Sequence, residues 1–123
     1  MRLSHAPDWP ALLRDFPVLG DLATTAQEPE WHAEGDVLSH TRMVCAALEG
    51  MPAFQALAAR EQEILRWAAV FHDVGKPATT KLGDDNKLHA YGHSRIGAQI
   101  LRELWWREGS LLDAAYRAEI LSL

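Results

Sequence analysis

Proline and glycine cut this chain into pieces the length of helices, and that punctuation limits the fold before any other feature does. Pro7 and Pro17 bracket a short amphipathic stretch from Asp8 to Phe16, a first helix. A loop rich in Thr, Glu and Pro is expected from Gly20 to Gly35. Asp36 then follows as an N-cap, because its carboxylate can accept from the free N–H groups of a first turn. Val37, Val44, Cys45 and Leu48 continue at roughly helical spacing as far as Gly50 and Pro52. From Pro52 to His72 the pattern fits one helix or two, with Ile64, Leu65, Ala68 and Phe71 as the buried stripe. Gly75 and Pro77 close it, which puts His72 and Asp73 in the last turn and lets Gly75 turn the chain outward. Gly83-Asp84-Asp85-Asn86 is a turn cluster between two short extended arms, a small hairpin or loop within about 79–89. Helical pattern resumes near Ser94 with Ile96, Ile100, Leu101 and Leu104 up to Trp105, and again from Ser110 to Leu123. The predicted class is all-α. A chain of 123 residues supports one core and one domain.

Composition excludes several functions. A hydrophobic fraction of 48% with five Trp describes a packed globular chain, not a disordered one. The net charge of −5 argues against gripping nucleic acid by bulk basic charge, while leaving room for a local basic pocket at a phosphate. With Cys45 the only cysteine there is no internal disulfide, which suits a reducing compartment. No apolar run approaches a membrane span and no signal-peptide pattern opens the chain, so the expected setting is cytoplasmic, with no membrane partner.

The chemistry centres on His72-Asp73, a nitrogen and an oxygen ligand offered from one stretch of backbone. His40, one turn into the helix that Asp36 caps, and His93 would have to come from other elements to close a site. Taken alone, a single helical His more often packs or caps than ligates. The His-Asp pair followed by Gly75-Lys76 reverses that weighting. Imidazole with carboxylate suits Mn²⁺, Fe²⁺, Ni²⁺, Co²⁺ or Zn²⁺, with Mg²⁺ a less natural choice. Helix ends also leave such a site open to substrate, as a catalytic metal needs. Lys76 is read either as a phosphate contact or as a solvated Lys favoured by a helix C-terminus. His93 lies just before a helix N-terminus, where Ser94 could cap and Arg95 could hold a phosphate bidentately. His89 is read as an exposed loop residue, His32 as a structural hydrogen bond or a pocket wall, and His5 as uninvolved.

His40, then His72-Asp73, then His93 resembles the ordered signature of the HD-domain metal-dependent phosphohydrolases. Two longer stretches tighten the likeness: Glu30-Trp31-His32-Ala33-Glu34-Gly35-Asp36-Val37 leading to His40-Thr41, and Phe71-His72-Asp73-Val74-Gly75-Lys76-Pro77-Ala78-Thr79-Thr80. Both are similar to the HD module that bacterial RNA end-healing proteins fuse to a polynucleotide kinase, and nearly as similar to the HD region of bacterial tRNA nucleotidyltransferases. The likeness runs over about residues 8 to 107. It implies an HD-type helical bundle and hydrolysis of phosphate esters, 2′,3′-cyclic or terminal phosphates of RNA or nucleotides, with one or two divalent ions. It carries the metal ligands onto His40, His72 and Asp73. His93 becomes a second-metal or phosphate ligand and Lys76 a contact to the scissile phosphate; Arg95, read from its position alone, would add a further phosphate contact. The family's later His motif has no match, and its closing Asp is either Asp113, which falls early, or no residue of this chain. The resemblance therefore predicts a single domain over 1–123 without its C-terminal part. It also leaves open a catalytically incomplete, metal- or nucleotide-binding regulatory module. The expected partner is a phosphorylated nucleotide or an RNA end. A kinase half, linked or separate, would lie outside this sequence, which has no phosphate-binding Gly-x-x-x-x-Gly-Lys loop. Adjacent Trp105 and Trp106 cannot both face inward, which is compatible with an oligomer.

Overall fold

The computed structural model describes residues 2–27 and 35–107, with side chains as far as residue 100. The described helices are α1 (Trp9–Asp15), α2 (Val37–Gly50), α3 (Pro52–Gln55), α4 (Ala59–Phe71), α5 (Lys76–Thr79) and α6 (His93–Arg107). Strands β1 (Lys81–Leu82) and β2 (Leu88–His89) pair antiparallel as the small hairpin that the turn cluster predicted. The class is all-α, as the punctuation implied. His32 and its neighbours and the stretch from Ser110, with Asp113 in it, lie outside the described residues, as do the side chains of Trp105 and Trp106.

α1 starts where Asp8 accepts from the Ala11 N–H at 3.3 Å, with Pro10 in a first turn that needs no N–H from it. Its inner residues are Trp9 and Leu12, and Phe16 beyond its end meets Trp67 and Phe71 edge-on at 5.8 and 5.3 Å. The loop expected from Gly20 needs correction: a 3-10 segment occupies Pro17–Thr24. Leu19 and Leu22, three residues apart, eclipse one another on a three-residue turn and are fully buried. A search for the 3.6-residue period passes over that spacing.

α2 begins on Asp36, which accepts from the Ser39 N–H at 2.7 Å and the Ser39 hydroxyl at 2.9 Å. Val37, Thr41 and Cys45 form its inner face, one turn apart. The stretch from Pro52 resolves into two helices, α3 and α4. The buried stripe of α4 is Ile64, Trp67, Val70 and Phe71, whereas Leu65 and Ala68 are only half-buried. Trp67 and Phe71 stack at 5.8 Å with planes 11° apart, the i, i+4 relation of an α-helix. Glu63 on the same helix is buried and fully used: it accepts from the Arg2 guanidinium at 2.9 Å and the Leu3 N–H at 2.9 Å, which clips Leu3 into the core. α2 packs on both α4 and the 3-10 segment, and α5 on α6, while the turn that follows α4 meets the start of α6 at Gly75. Among the described residues no helix is long and apolar enough to cross a membrane.

Candidate metal centre

α4 stops at Phe71, and the chain then passes through a tight turn in which Val74 N–H donates to the Phe71 carbonyl at 3.1 Å and Lys76 N–H to that of Asp73 at 3.0 Å. The turn drives Asp73 inward, where it is 3% exposed, and leaves His72 at the surface. His40, on the first turn of α2, faces the same place. Asp73 Oδ2 lies 3.1 Å from His72 Nε2 and 4.0 Å from His40 Nε2. The donor atoms of His40, His72 and Asp73 all fall within 4.8 Å of one another. Two ligands bound to one ion at about 2.0–2.2 Å stand at most about 4.4 Å apart, so small side-chain rotations complete the geometry.

Two of the rings have their tautomer set from behind. His72 Nδ1–H donates to the Ala69 carbonyl at 2.7 Å, and His93 Nδ1–H to that of Ala90 at 2.9 Å. The lone pair of a neutral ring is thereby left on Nε2, the atom aimed at Asp73. Asp73 Oδ2 is a buried oxygen on which no well-aligned hydrogen bond ends, although the Lys76 ammonium and the His72 ring both lie near it. A buried carboxylate oxygen without a well-formed hydrogen bond, beside two Nε2 atoms, is what a divalent ion takes, so the residues present fit a mixed N/O metal site.

Charge at the site is already poised. Burial would push the Asp73 carboxyl up, but the His72 imidazole and the Lys76 ammonium outweigh it and hold it at about 2. For His72 burial pulls the other way, and Asp73 overcomes it to raise the imidazole above its ordinary value.

Lys76 lies where the sequence placed it, beside the His-Asp pair, with Nζ 3.2 Å from Asp73 Oδ2. It is not the solvated Lys of a helix end: its side chain is 13% exposed, and Nζ donates to Gln27 Oε1 at 2.7 Å. Sequence reasoning missed Gln27, which lay within the expected loop and carried no motif. It reaches the site because residues 25–27 run antiparallel to the entry of α2. Gln27 N–H donates to the Gly35 carbonyl at 2.8 Å and Val37 N–H to that of Thr25 at 2.9 Å.

His93 is brought in as expected, but against the other oxygen, with Nε2 3.4 Å from Asp73 Oδ1. Two details of that region need correction. α6 starts at His93 itself, so Ser94 sits inside the first turn and does not cap. His89 is not an exposed loop residue: it is in β2, its Nε2 lies 2.9 Å from Asp85 Oδ2, and its ring stacks on Tyr91 at 4.9 Å. The pairing with His89 holds the Asp85 carboxyl below its ordinary value. Arg95 is exposed on α6, one turn in at most from His93. Gly75 has an ordinary helical φ of −80°, so its role is not to reverse the chain. A Cβ there would strike the His93 carbonyl oxygen and come within 2.6 Å of Gly97 N.

A family model described as HD domain matches residues 36–120. The "Multifunctional CCA protein" of Shewanella frigidimarina is 35% identical over 94 residues, 76% of this chain and 20% of the relative. That of Hahella chejuensis is 34% identical over 94 residues, again 76% and 20%. An "A-adding tRNA nucleotidyltransferase" of Deinococcus radiodurans is 36% identical over 62 residues, 47% of this chain and 14% of the relative. The chain thus spans a fifth or less of the length of these curated relatives, at 20% and 14%. No solved structure matches it.

Proposed function

From a chain that belongs to the HD-domain family of metal-dependent phosphohydrolases, we propose an enzyme that hydrolyses phosphate esters, with 2′,3′-cyclic or terminal phosphates of RNA or nucleotides as substrates. The observation that carries this reading is the Asp73 carboxylate, with Oδ2 turned to His40 and His72 and Oδ1 turned to His93. His40, His72 and Asp73 would hold the first divalent ion, and His93 a second ion or the phosphate. When bound, the ion supplies Lewis acidity toward water and toward a phosphoryl oxygen. The protein does the rest by orientation. His72 is locked through Ala69 and His93 through Ala90, so neither imidazole must reorganise as charge develops. The Lys76 ammonium stands at the rim of the carboxylate, where it offsets negative charge gathering on equatorial oxygens. Arg95, exposed beyond His93, is the group free to close on the departing end of the substrate. That RNA ends are the substrate is supported by a relative named as a tRNA nucleotidyltransferase. A local phosphate site on a chain of net charge −5 fits end recognition better than a clamp on long duplex.

The test is Mn²⁺-dependent phosphate chemistry on matched RNA ends carrying a 2′,3′-cyclic phosphate, a 3′-phosphate or a 5′-phosphate, alongside free mononucleotides. Turnover abolished by His72→Ala supports the proposal. Metal bound at one or more per chain without turnover of any ester would favour the regulatory module instead. No bound metal would sink the site.

A further inference from the structure

We propose that Gln27 is the positioning residue for Lys76: it fixes the ammonium at the rim of the Asp73 carboxylate, where the ammonium meets the phosphate. The inference rests on the phosphohydrolase reading for what the ammonium does, and on geometry alone for how it is held. A lysine side chain has four rotatable carbons and strongly favours water, so an ammonium that is largely buried needs more than one fixed partner. Asp73 Oδ2 at 3.2 Å is one. Gln27 Oε1, accepting at 2.7 Å, is the other and the shorter contact. Gln27 is itself 5% exposed and is anchored by its own backbone to Gly35. Because Oε1 must face an ammonium that can only donate, the amide orientation is settled, and Nε2 is left buried without a partner. An unsatisfied buried amide N–H is a local cost, tolerated here for the sake of the Lys76 contact. The arrangement also keeps the ammonium from folding wholly onto Asp73, so the carboxylate oxygen stays available to a cation while the positive charge remains beside it.

The experiment compares wild type, Gln27→Leu, Gln27→Glu, Lys76→Met and the Gln27→Leu/Lys76→Met double variant. The first readout is the Lys76 ammonium signal in ¹⁵N NMR of the metal-free protein, assigned by its loss in Lys76→Met. It should be sharp in wild type, lost to exchange broadening in Gln27→Leu, and restored in Gln27→Glu, which keeps an acceptor of the same length. The second readout is the affinity of the Mn²⁺-loaded protein for inorganic phosphate. Lys76→Met and Gln27→Leu should each weaken it roughly tenfold, the order one charge-assisted hydrogen bond supports, and the double variant no further. A sharp ammonium signal in Gln27→Leu, or additive losses in the double variant, overturns the proposal. If wild type binds no Mn²⁺, the phosphohydrolase reading fails, and the ammonium signal decides the role of Gln27 by itself.

Discussion

Gly75 and His93 are in direct backbone contact: a Cβ on Gly75 would run into the His93 carbonyl oxygen. The crossing has a second side, where Gly97 approaches within 3.3 Å of Gly75 N from its own ideal Cβ position. Two glycines thus let the first turn of α6 lie flat on the turn that carries Asp73. That closeness is what brings His93 Nε2 to 3.4 Å from Asp73 Oδ1.

Gly75→Ala should therefore cost about 1–3 kcal/mol, the usual range for forcing a group into a packed site. It should also loosen whatever His93 holds. Thermal unfolding gives the first number and Mn²⁺ titration the second. A variant as stable as wild type would mean that α6 is free to slide, contrary to the contact described.

His72→Ala and Asp73→Asn should each weaken Mn²⁺ binding by at least about tenfold, in line with losses seen even for groups that only support ligands. His72 is paired with Asp73, so its removal should also lower the melting temperature of the metal-free protein, by the share of stability that the pair supplies. Titration with Mn²⁺ and a melting curve on the same sample separate the two effects. Unchanged affinity in both variants would remove these residues from the site.

The Asp73–His72 pair should give the metal-free protein a bell-shaped stability profile. Asp73 is held at about 2 against an ordinary 3.8, so its contribution is complete above 3.8 and lost as pH falls toward 2. It amounts to about 2 kcal/mol. His72 is raised above an ordinary 6.5, so its contribution is complete below 6.5 and fades as pH rises past that value. Maximum stability from the pair thus lies between about 4 and 6.5. Melting temperature against pH, for wild type and Asp73→Asn, should show the acid limb flatten in the variant.

Cys45 should be inert in the native protein. Burial and then the Glu49 carboxylate push its thiol up to about 11, so almost no thiolate exists at pH 8. Iodoacetamide should label it only after denaturant is added, when its ordinary value of 9.0 returns. The same shift makes the buried thiol stabilising below 9 and progressively less so above. Rapid native labelling at pH 8 would mean that α2 opens locally.

Local signals were enough for much of the frame. Asp36 caps a helix, Gly50 and Pro52 end it, and Gly83-Asp84-Asp85-Asn86 turns a hairpin, because caps and turns are chosen by neighbours in the chain. The order His40, His72-Asp73, His93 also showed which residues to suspect. The 3-10 segment escaped because its buried leucines repeat every three residues.

Neighbouring residues are thus enough to give the class of helical domain and the identity of its chemical groups. How those groups face one another comes from the packing of distant segments. His40 and Asp73 are 33 positions apart, and whether Oδ2 meets His40 while Oδ1 meets His93 depends on how α2, α4 and α6 pack. The same holds for Gln27, which has no motif and reaches Lys76 across 49 positions. Caps and turns are settled by short-range sterics and hydrogen bonds, whereas a site is settled by contacts between segments that become neighbours only when the core closes.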